Sequence, residues 1–137
     1  MNNELKNIFY IGYKFGIVGT LSTIFNYSIF AFLYKIISVY YIVSSVIGYV
    51  SGLLLGYLLN KNWTFIAQVD NSKSYIVGYI TVYVVSLVSS QAFLLFLVEI
   101  LLINPLYANV LAIVLSTVMN FLGTNLFVFQ NAGKTYS

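Results

Sequence analysis

The segment at residues 60–65 holds the strongest candidate in this sequence for binding a phosphate group. Lys61 is flanked by Asn60 and Asn62, and Trp63 follows. An ammonium group between amides can hold an anionic head group by charge and hydrogen bonds, and an indole favours the membrane interface. The same residues would equally serve as an interfacial anchor that sets the topology of a membrane protein. Both interpretations place this segment at the surface of a bilayer.

Three amide side chains lie inside long uncharged runs of the sequence, namely Asn26, Gln91 and Asn120. An amide without a hydrogen-bond partner in hydrocarbon costs several kcal/mol, so each of them needs one. One interpretation is that these amides hold helices together across their contacts. The other is a polar path that solvates a head group as it crosses the membrane.

Four apolar, uncharged runs position these side chains, and each reaches the ~20 residues that a helix needs to cross ~30 Å of hydrocarbon. We predict an all-α integral membrane protein, a single domain over residues 1–137 with spans near residues 15–37, 40–60, 75–98 and 106–129. Pro105 suits the first turn of the last helix, where its missing N–H costs nothing, and Asn104 before it predicts a turn. Residues 5–13 mix apolar side chains with a lysine and predict a short interfacial helix.

The six lysines are distributed unevenly between the loops. Five lie in the N-terminal segment, the middle loop or the C-terminal tail, and only Lys35 lies in the other two loops. Positive charge is retained on the cytoplasmic side of a membrane protein. We therefore predict that both termini and the loop at residues 66–74 are cytoplasmic.

Small and polar residues recur every four positions on the second and fourth spans, in two stripes that are 64 residues apart. They are Ser44, Gly48, Gly52, Gly56 and Asn60, then Ala108, Ala112, Ser116, Asn120 and Thr124. This spacing keeps side chains on one helical face, where small residues let helix backbones approach closely in lipid. We predict two parallel-repeat helical hairpins, with Gly48, Gly52, Gly56, Ala112 and Ser116 at helix contacts, although the glycines would also suit a groove for a lipid tail. One stripe would close the protomer and the other would form a homo-oligomer interface, most simply of a dimer.

Composition excludes several classes of function. The chain has no cysteine, no histidine and only three acidic residues, which leaves few ligands for a metal and few groups for acid–base catalysis. Six scattered lysines are a topology signal and not a nucleic-acid-binding surface. We predict no enzyme activity, no metal site and no cofactor. Glu99 matches Lys35 after a shift of 64 and predicts a solvated interfacial pair, with a proton-coupling carboxylate as the alternative.

Three motifs together resemble the GtrA-like family of small bacterial membrane proteins. The first span opens with Phe15-Gly16-Ile17-Val18-Gly19, and Asn26 follows. The second span ends with Leu58-Leu59-Asn60-Lys61-Asn62-Trp63-Thr64-Phe65. The fourth span ends with NFLGTNLFVF at residues 120–129. The family pattern often has a basic pair where this chain has Lys61 and Asn62. At the end of the fourth span the family pattern has an asparagine followed by a basic residue, where this chain has Thr124 and Asn125. The family pattern also has a tryptophan where this chain has Phe127. Lys61 is therefore the single strong phosphate candidate.

The resemblance implies translocation of a polyprenyl-phosphate-linked monosaccharide across the bacterial cytoplasmic membrane, for modification of a surface polysaccharide or teichoic acid. Membrane lipid and a membrane glycosyltransferase are the partners it implies. Lys61, Asn60 and Trp63 would then capture the phosphate and sugar, and the three amides within the spans would relay the hydroxyls. Two other functions stay open: a non-transporting partner subunit of a glycosyltransferase, and a small drug/proton antiporter, which typically needs a carboxylate inside a span.

Overall fold

The structure is a computed structural model that describes residues 2–59, 62 and 73–123. These residues form four α-helices, α1 (Asn3–Ala31), α2 (Tyr41–Leu59), α3 (Lys73–Leu95) and α4 (Pro105–Gly123). One π-helical turn extends α1 over Phe32–Ile36, and another extends α3 over Phe96–Ile100. No strand occurs in the described ranges, and all four helices are long and apolar enough to cross a membrane. The predicted all-α protein with four transmembrane helices is confirmed.

The helix bounds differ from the predicted spans mainly at the N-terminus. The candidate spans are Asn3–Ile36, Tyr41–Leu59, Val77–Ile100 and Pro105–Gly123. No separate interfacial helix precedes the first span, because α1 continues unbroken from Asn3. The only helix-weakening residue in residues 3–13 is Gly12, and one glycine costs only about 1 kcal/mol in a helix interior. The predicted last residues of the fourth span, 124–129, lie outside the described residues.

Two compact units divide the chain, Met1–Val69 and Asp70–Ser137. In the first unit α1 packs along α2, and in the second α3 packs along α4. Because each pair of helices is joined by a short connection and packs along its length, each unit is a helical hairpin. The predicted pair of hairpins is therefore confirmed.

The backbone repeats itself after 64 residues. The π-helical turns at Phe32–Ile36 and Phe96–Ile100 lie 64 residues apart, and so do the first residues of α2 and α4. Ser38 and Leu102, also 64 apart, both have a positive φ, of 63° and 55°. Internal duplication thus extends from the stripes of small residues to the conformation of individual connections.

Each hairpin connection ends its first helix with a widened form of the Schellman cap. Val39 N–H donates to the carbonyl oxygen of Leu33 at 2.9 Å, and Ile103 N–H donates to that of Leu97 at 3.0 Å. The usual closing bond of such a cap spans one residue fewer. The extra residue enclosed by this hydrogen bond accounts for the π-helical turn. No residue type in the sequence predicts that turn.

The second connection ends at the N-cap that the sequence predicts. Asn104 Oδ1 accepts a hydrogen bond from Leu106 N–H at 2.9 Å, and Pro105 is the first residue of α4. The amide satisfies one of the N–H groups that a helix start leaves without a partner. The asparagine and the proline therefore fix where α4 begins.

We expect single cysteines at Asp70 and Glu99 to react with a membrane-impermeant maleimide from opposite sides of the membrane. Asp70 lies in the middle loop with the lysine-rich segments, and Glu99 is exposed at the other end of α3. The natural chain contains no cysteine, so each variant carries one label. Labelling of intact cells and of inverted vesicles measures the side. Reaction of both positions from one side would contradict the four-span topology.

Candidate functional site

The interior of the first hairpin is a close contact between glycines of α2 and the backbone of α1. A Cβ added at Gly48 would lie 2.6 Å from the backbone oxygen of Asn26, and one added at Gly52 would lie 2.8 Å from that of Ser22. Real Cβ atoms do not come so close, so only glycine permits this helix separation. The glycine Cα hydrogens point at the two carbonyl oxygens, which is the geometry of the weak Cα–H···O contacts of closely packed helices.

Asn26 lies within this contact. Its side chain is only 8% exposed, and its Oδ1 would lie 2.9 Å from a Cβ at Gly48. Four residues earlier, the hydroxyl oxygen of Ser22 is buried and has no hydrogen-bond partner among the described residues. That oxygen faces the third glycine, because a Cβ at Gly56 would lie 2.8 Å from it. Ser22 and Asn26 of α1 therefore lie against the glycines of α2 inside the hairpin.

The second hairpin has the same arrangement with alanine and serine in place of glycine. Ala108, Ala112 and Ser116 are buried on α4, and Ser86 and Ser90 are buried on α3. Ser90 donates to the carbonyl oxygen of Leu87 at 2.9 Å, and Ser116 donates to that of Ile113 at 2.9 Å. These two hydroxyls are satisfied within their own helices. The described interior of this hairpin is thus lined by small and polar side chains.

Sequence reasoning missed Asn109, which is 0% exposed one turn into α4. It follows Ala108 of the second stripe, and its counterpart 64 residues earlier is the buried Ser45. An alignment of the two repeats restricted to polar residues would have found this pair. Each hairpin thus has a second polar position beside its stripe, close to the connection.

The three predicted amides differ in accessibility. Asn26 is buried inside its hairpin, whereas Gln91 and Asn120 are partly exposed. Asn120 and part of Gln91 are thus accessible outside the contact of α1 with α2, although Oε1 of Gln91 is buried. The three residues predicted to capture the phosphate, Lys61, Asn60 and Trp63, lie outside the described residues. Their role stays a prediction.

Both stripes of small residues are used inside their own hairpins. Gly48 and Gly52 contact α1, and the described part of the second stripe is buried at Ala108, Ala112 and Ser116, where α4 packs along α3. The buried residues of both stripes thus serve contacts within a hairpin. A homo-oligomer stays a prediction, and it would need another surface.

One such surface is the face of α1 that carries Gly12, Gly16 and Gly19. A Cβ at any of these positions would meet nothing within 4 Å. The glycines flatten this face into an open groove lined by Gly12, Tyr13, Gly16, Ile17, Thr20 and Leu21. Within the motif that opens the first span, Val18 is buried in the hairpin whereas Gly16 and Gly19 are exposed. One face of this motif therefore packs inside the hairpin, and the face with the glycines is exposed.

The described charged residues include a lysine in the first half of α1 and one residue in each π-helical turn. The Lys14 ammonium group sits 4.5 Å from the centroid of the Tyr10 ring, a cation–π arrangement near the start of α1. Lys35 and Glu99 are exposed in the two π-helical turns. Within the described parts of the four spans no carboxylate is buried, so the antiporter alternative has no proton-coupling candidate there.

A comparison of the sequence with known protein families identifies the family to which the four-helix chain belongs. The model of the family described as "GtrA/DPMS, transmembrane domain" matches residues 14–129, which include all three motifs, α1 from Lys14 onwards, and the whole of α2, α3 and α4. No curated protein and no solved structure is significantly similar to the chain. Because the match extends over most of its length, the chain belongs to the GtrA/DPMS transmembrane-domain family, and it is a multi-pass membrane protein.

Proposed function

We propose that this protein translocates a polyprenyl-phosphate-linked monosaccharide, with a carrier such as undecaprenyl phosphate, across the bacterial cytoplasmic membrane. The observation that carries the proposal is membership of the GtrA/DPMS family over residues 14–129. The product would serve the modification of a cell-surface polysaccharide or teichoic acid. Translocation makes and breaks no covalent bond, so the protein is proposed to act without catalysis or a cofactor.

The physical problem of such a transporter is the head group. The isoprenoid tail can stay in lipid throughout, whereas the sugar hydroxyls and the phosphate cannot enter hydrocarbon without polar partners. We assign capture of the phosphate and sugar to Lys61, Asn60 and Trp63 at the cytoplasmic face. Gln91 and Asn120 would then offer amide groups to the hydroxyls within the membrane. Asn26 would join them only if α1 and α2 separate, because it lies in their contact.

Purified protein in liposomes tests the function. A fluorescent polyprenyl-phosphate-linked glucose is placed in both leaflets, and an impermeant reagent that oxidises the sugar is added outside. A translocator exposes nearly all of the lipid to the reagent, whereas protein-free liposomes protect the inner half. Protection that persists with folded protein would contradict translocation of this substrate, and the assay is repeated with a panel of sugars because the sequence does not identify the sugar.

We expect Gln91→Met and Asn120→Leu to slow translocation and to weaken the fold less than a change at Asn26 does. Each change removes an amide of similar size from a partly exposed position, and one lost hydrogen bond of about 0.5–1.5 kcal/mol corresponds to a roughly two- to tenfold slower rate. Rates come from the liposome assay, and stability comes from the unfolding midpoint in detergent.

Asn26→Leu is the matched comparison, and it should lower the unfolding midpoint because Asn26 packs against Gly48 and Gly52. If Gln91→Met and Asn120→Leu translocated at the rate of the unaltered protein, the amides would have only a structural role.

A partner subunit of a membrane glycosyltransferase is the second candidate function. It is favoured by the open face at Gly12, Gly16 and Gly19, which suits close approach of another transmembrane helix. On this alternative, the unaltered protein would translocate no lipid in pure liposomes, and Gly16→Leu would remove the activity of the co-expressed enzyme. The two functions therefore separate in the same pair of assays.

A further inference from the structure

The two hairpin connections are apolar where a connection between transmembrane helices usually meets water. We define the first tip as residues 36–39 and the second tip as residues 100–103. Ile36 is 70% exposed, Ile100 is 66% exposed and Leu102 is 83% exposed. One charge precedes each tip, Lys35 and Glu99, and neither tip contains a charged residue. Exposed apolar side chains at such a position call for an apolar surrounding.

Leu102 is the residue whose conformation and exposure would be least favourable in water. Its φ of 55° lies in the left-handed region, which leucine adopts at a cost and which glycine or asparagine usually occupies at a helix end. The conformation projects the whole side chain away from the hairpin. In water this position would combine backbone strain with an exposed leucine. In lipid the exposed leucine becomes favourable.

The described parts of α2 and α4 begin beside the tips. Each has 19 residues and extends about 28 Å at 1.5 Å per residue, which is enough to cross most of the ~30 Å of a hydrocarbon core. The tips therefore lie at one end of these two spans. Tyr40 and Tyr107 stand beside them, both exposed, and tyrosine is enriched at this level of a bilayer. The tips continue the lipid-facing surface of the spans.

We propose that both tips insert into the interfacial layer of the leaflet opposite the termini, with Leu102 as the main anchor and lipid as the partner. The duplicated backbone presents exposed apolar side chains at matching positions of the two hairpins, 64 residues apart. On the side of the membrane opposite the termini, the described hairpins would then end in lipid and not in water. The inference does not depend on translocation activity, and the leaflet follows from the topology measured with Asp70 and Glu99.

Environment-sensitive dyes on single cysteines test the depth of the tips. Ile36→Cys in the first tip, and Ile100→Cys and Leu102→Cys in the second tip, each carry an NBD group in vesicles of phosphatidylethanolamine and phosphatidylglycerol. Asp70→Cys in the polar middle loop is the control. We expect blue-shifted emission at all three tip positions, stronger quenching by a shallow doxyl lipid than by iodide supplied on both sides, and the reverse at Asp70. In the second tip either variant alone is sufficient.

A second measurement separates the leucine from the backbone. Leu102→Asn keeps a residue that tolerates the left-handed conformation but removes the apolar side chain. A dye at Ile100 in this background should shift to the red if Leu102 anchors the tip. Iodide quenching at the tips equal to that at Asp70 would overturn the proposal. Self-quenching of the tip dyes that disappears on dilution with unlabelled protein would also overturn it, because the tips would then contact a second copy.

Discussion

Lys61→Gln is expected to weaken binding of polyprenyl phosphate roughly ten- to a hundredfold and to remove most translocation. A phosphate ester keeps its negative charge at neutral pH, and one charge-assisted contact near the head groups contributes about 1.5–3 kcal/mol. The corresponding end of the fourth span has Thr124 and Asn125, which provide no cation to replace it. Lys61→Arg should retain part of the binding because it keeps the charge but changes the geometry.

The single tryptophan of the chain makes this measurement direct, because Trp63 lies two residues from Lys61. Its emission is followed while vesicles containing the protein are titrated with polyprenyl phosphate that carries no sugar. Lys14→Gln is the matched control, since it removes another lysine from the side predicted to be cytoplasmic and leaves residues 60–65 unaltered. The label at Asp70 verifies that neither variant has changed its topology.

Wild-type binding by a correctly inserted Lys61→Gln variant would reduce Lys61 to a topology anchor. The proposed translocation would survive that result if the liposome assay still reported transport. Loss of both binding and transport in Lys14→Gln as well would indicate a general effect of positive charge. The two lysine variants and the arginine variant together distinguish a specific site from surface potential.

The spans and hairpins could be predicted because the bilayer restricts a chain to few solutions. A run of about 20 uncharged residues has to be a helix, since backbone groups in lipid must be satisfied within the segment. Pro105 and Asn104 carry direct chemical signals for the start of α4, and the structure has both in those roles. The duplication could be predicted because the stripe of small and polar residues recurs at matching positions 64 residues apart.

The π-helical turns and the partner of each stripe could not be predicted. Ser38 and Leu102 adopt a positive φ without the glycine that would have marked it, and the widened cap depends on backbone hydrogen bonds alone. A spacing of four identifies a helix face but not the helix that covers it. The stripe of α2 therefore gave no indication that its neighbour is Asn26 of the same hairpin and not a second copy.

The second large effect is expected at Gly48, where alanine should destabilise the first hairpin by about 1–3 kcal/mol. The added Cβ would lie 2.6 Å from the backbone oxygen of Asn26, and a carbonyl group held in a helix cannot rotate away. The two helices would have to separate along their contact. Alanine also favours helix over glycine by about 1 kcal/mol, so the measured loss is the net of both effects. Unfolding midpoints in mixed detergent micelles measure it.

The glycines of the chain provide a graded series of controls. Gly52→Ala should cost as much as Gly48→Ala, because its Cβ would lie 2.8 Å from the backbone oxygen of Ser22. Gly56→Ala should cost less, because only the Ser22 hydroxyl lies in the way. Gly16→Ala meets no atom within 4 Å and should leave stability unchanged or raise it slightly.

Second-site changes separate side-chain from backbone clashes. Adding Ser22→Ala should restore the stability of Gly56→Ala, because it removes the hydroxyl that the new methyl group meets. Adding Asn26→Ala should restore that of Gly48→Ala only in part, because the backbone oxygen of Asn26 remains at 2.6 Å. Full rescue at Gly48 would mean that the side-chain amide, and not the backbone, sets the distance between α1 and α2. Equal stability of Gly48→Ala and Gly16→Ala would contradict the close helix contact itself.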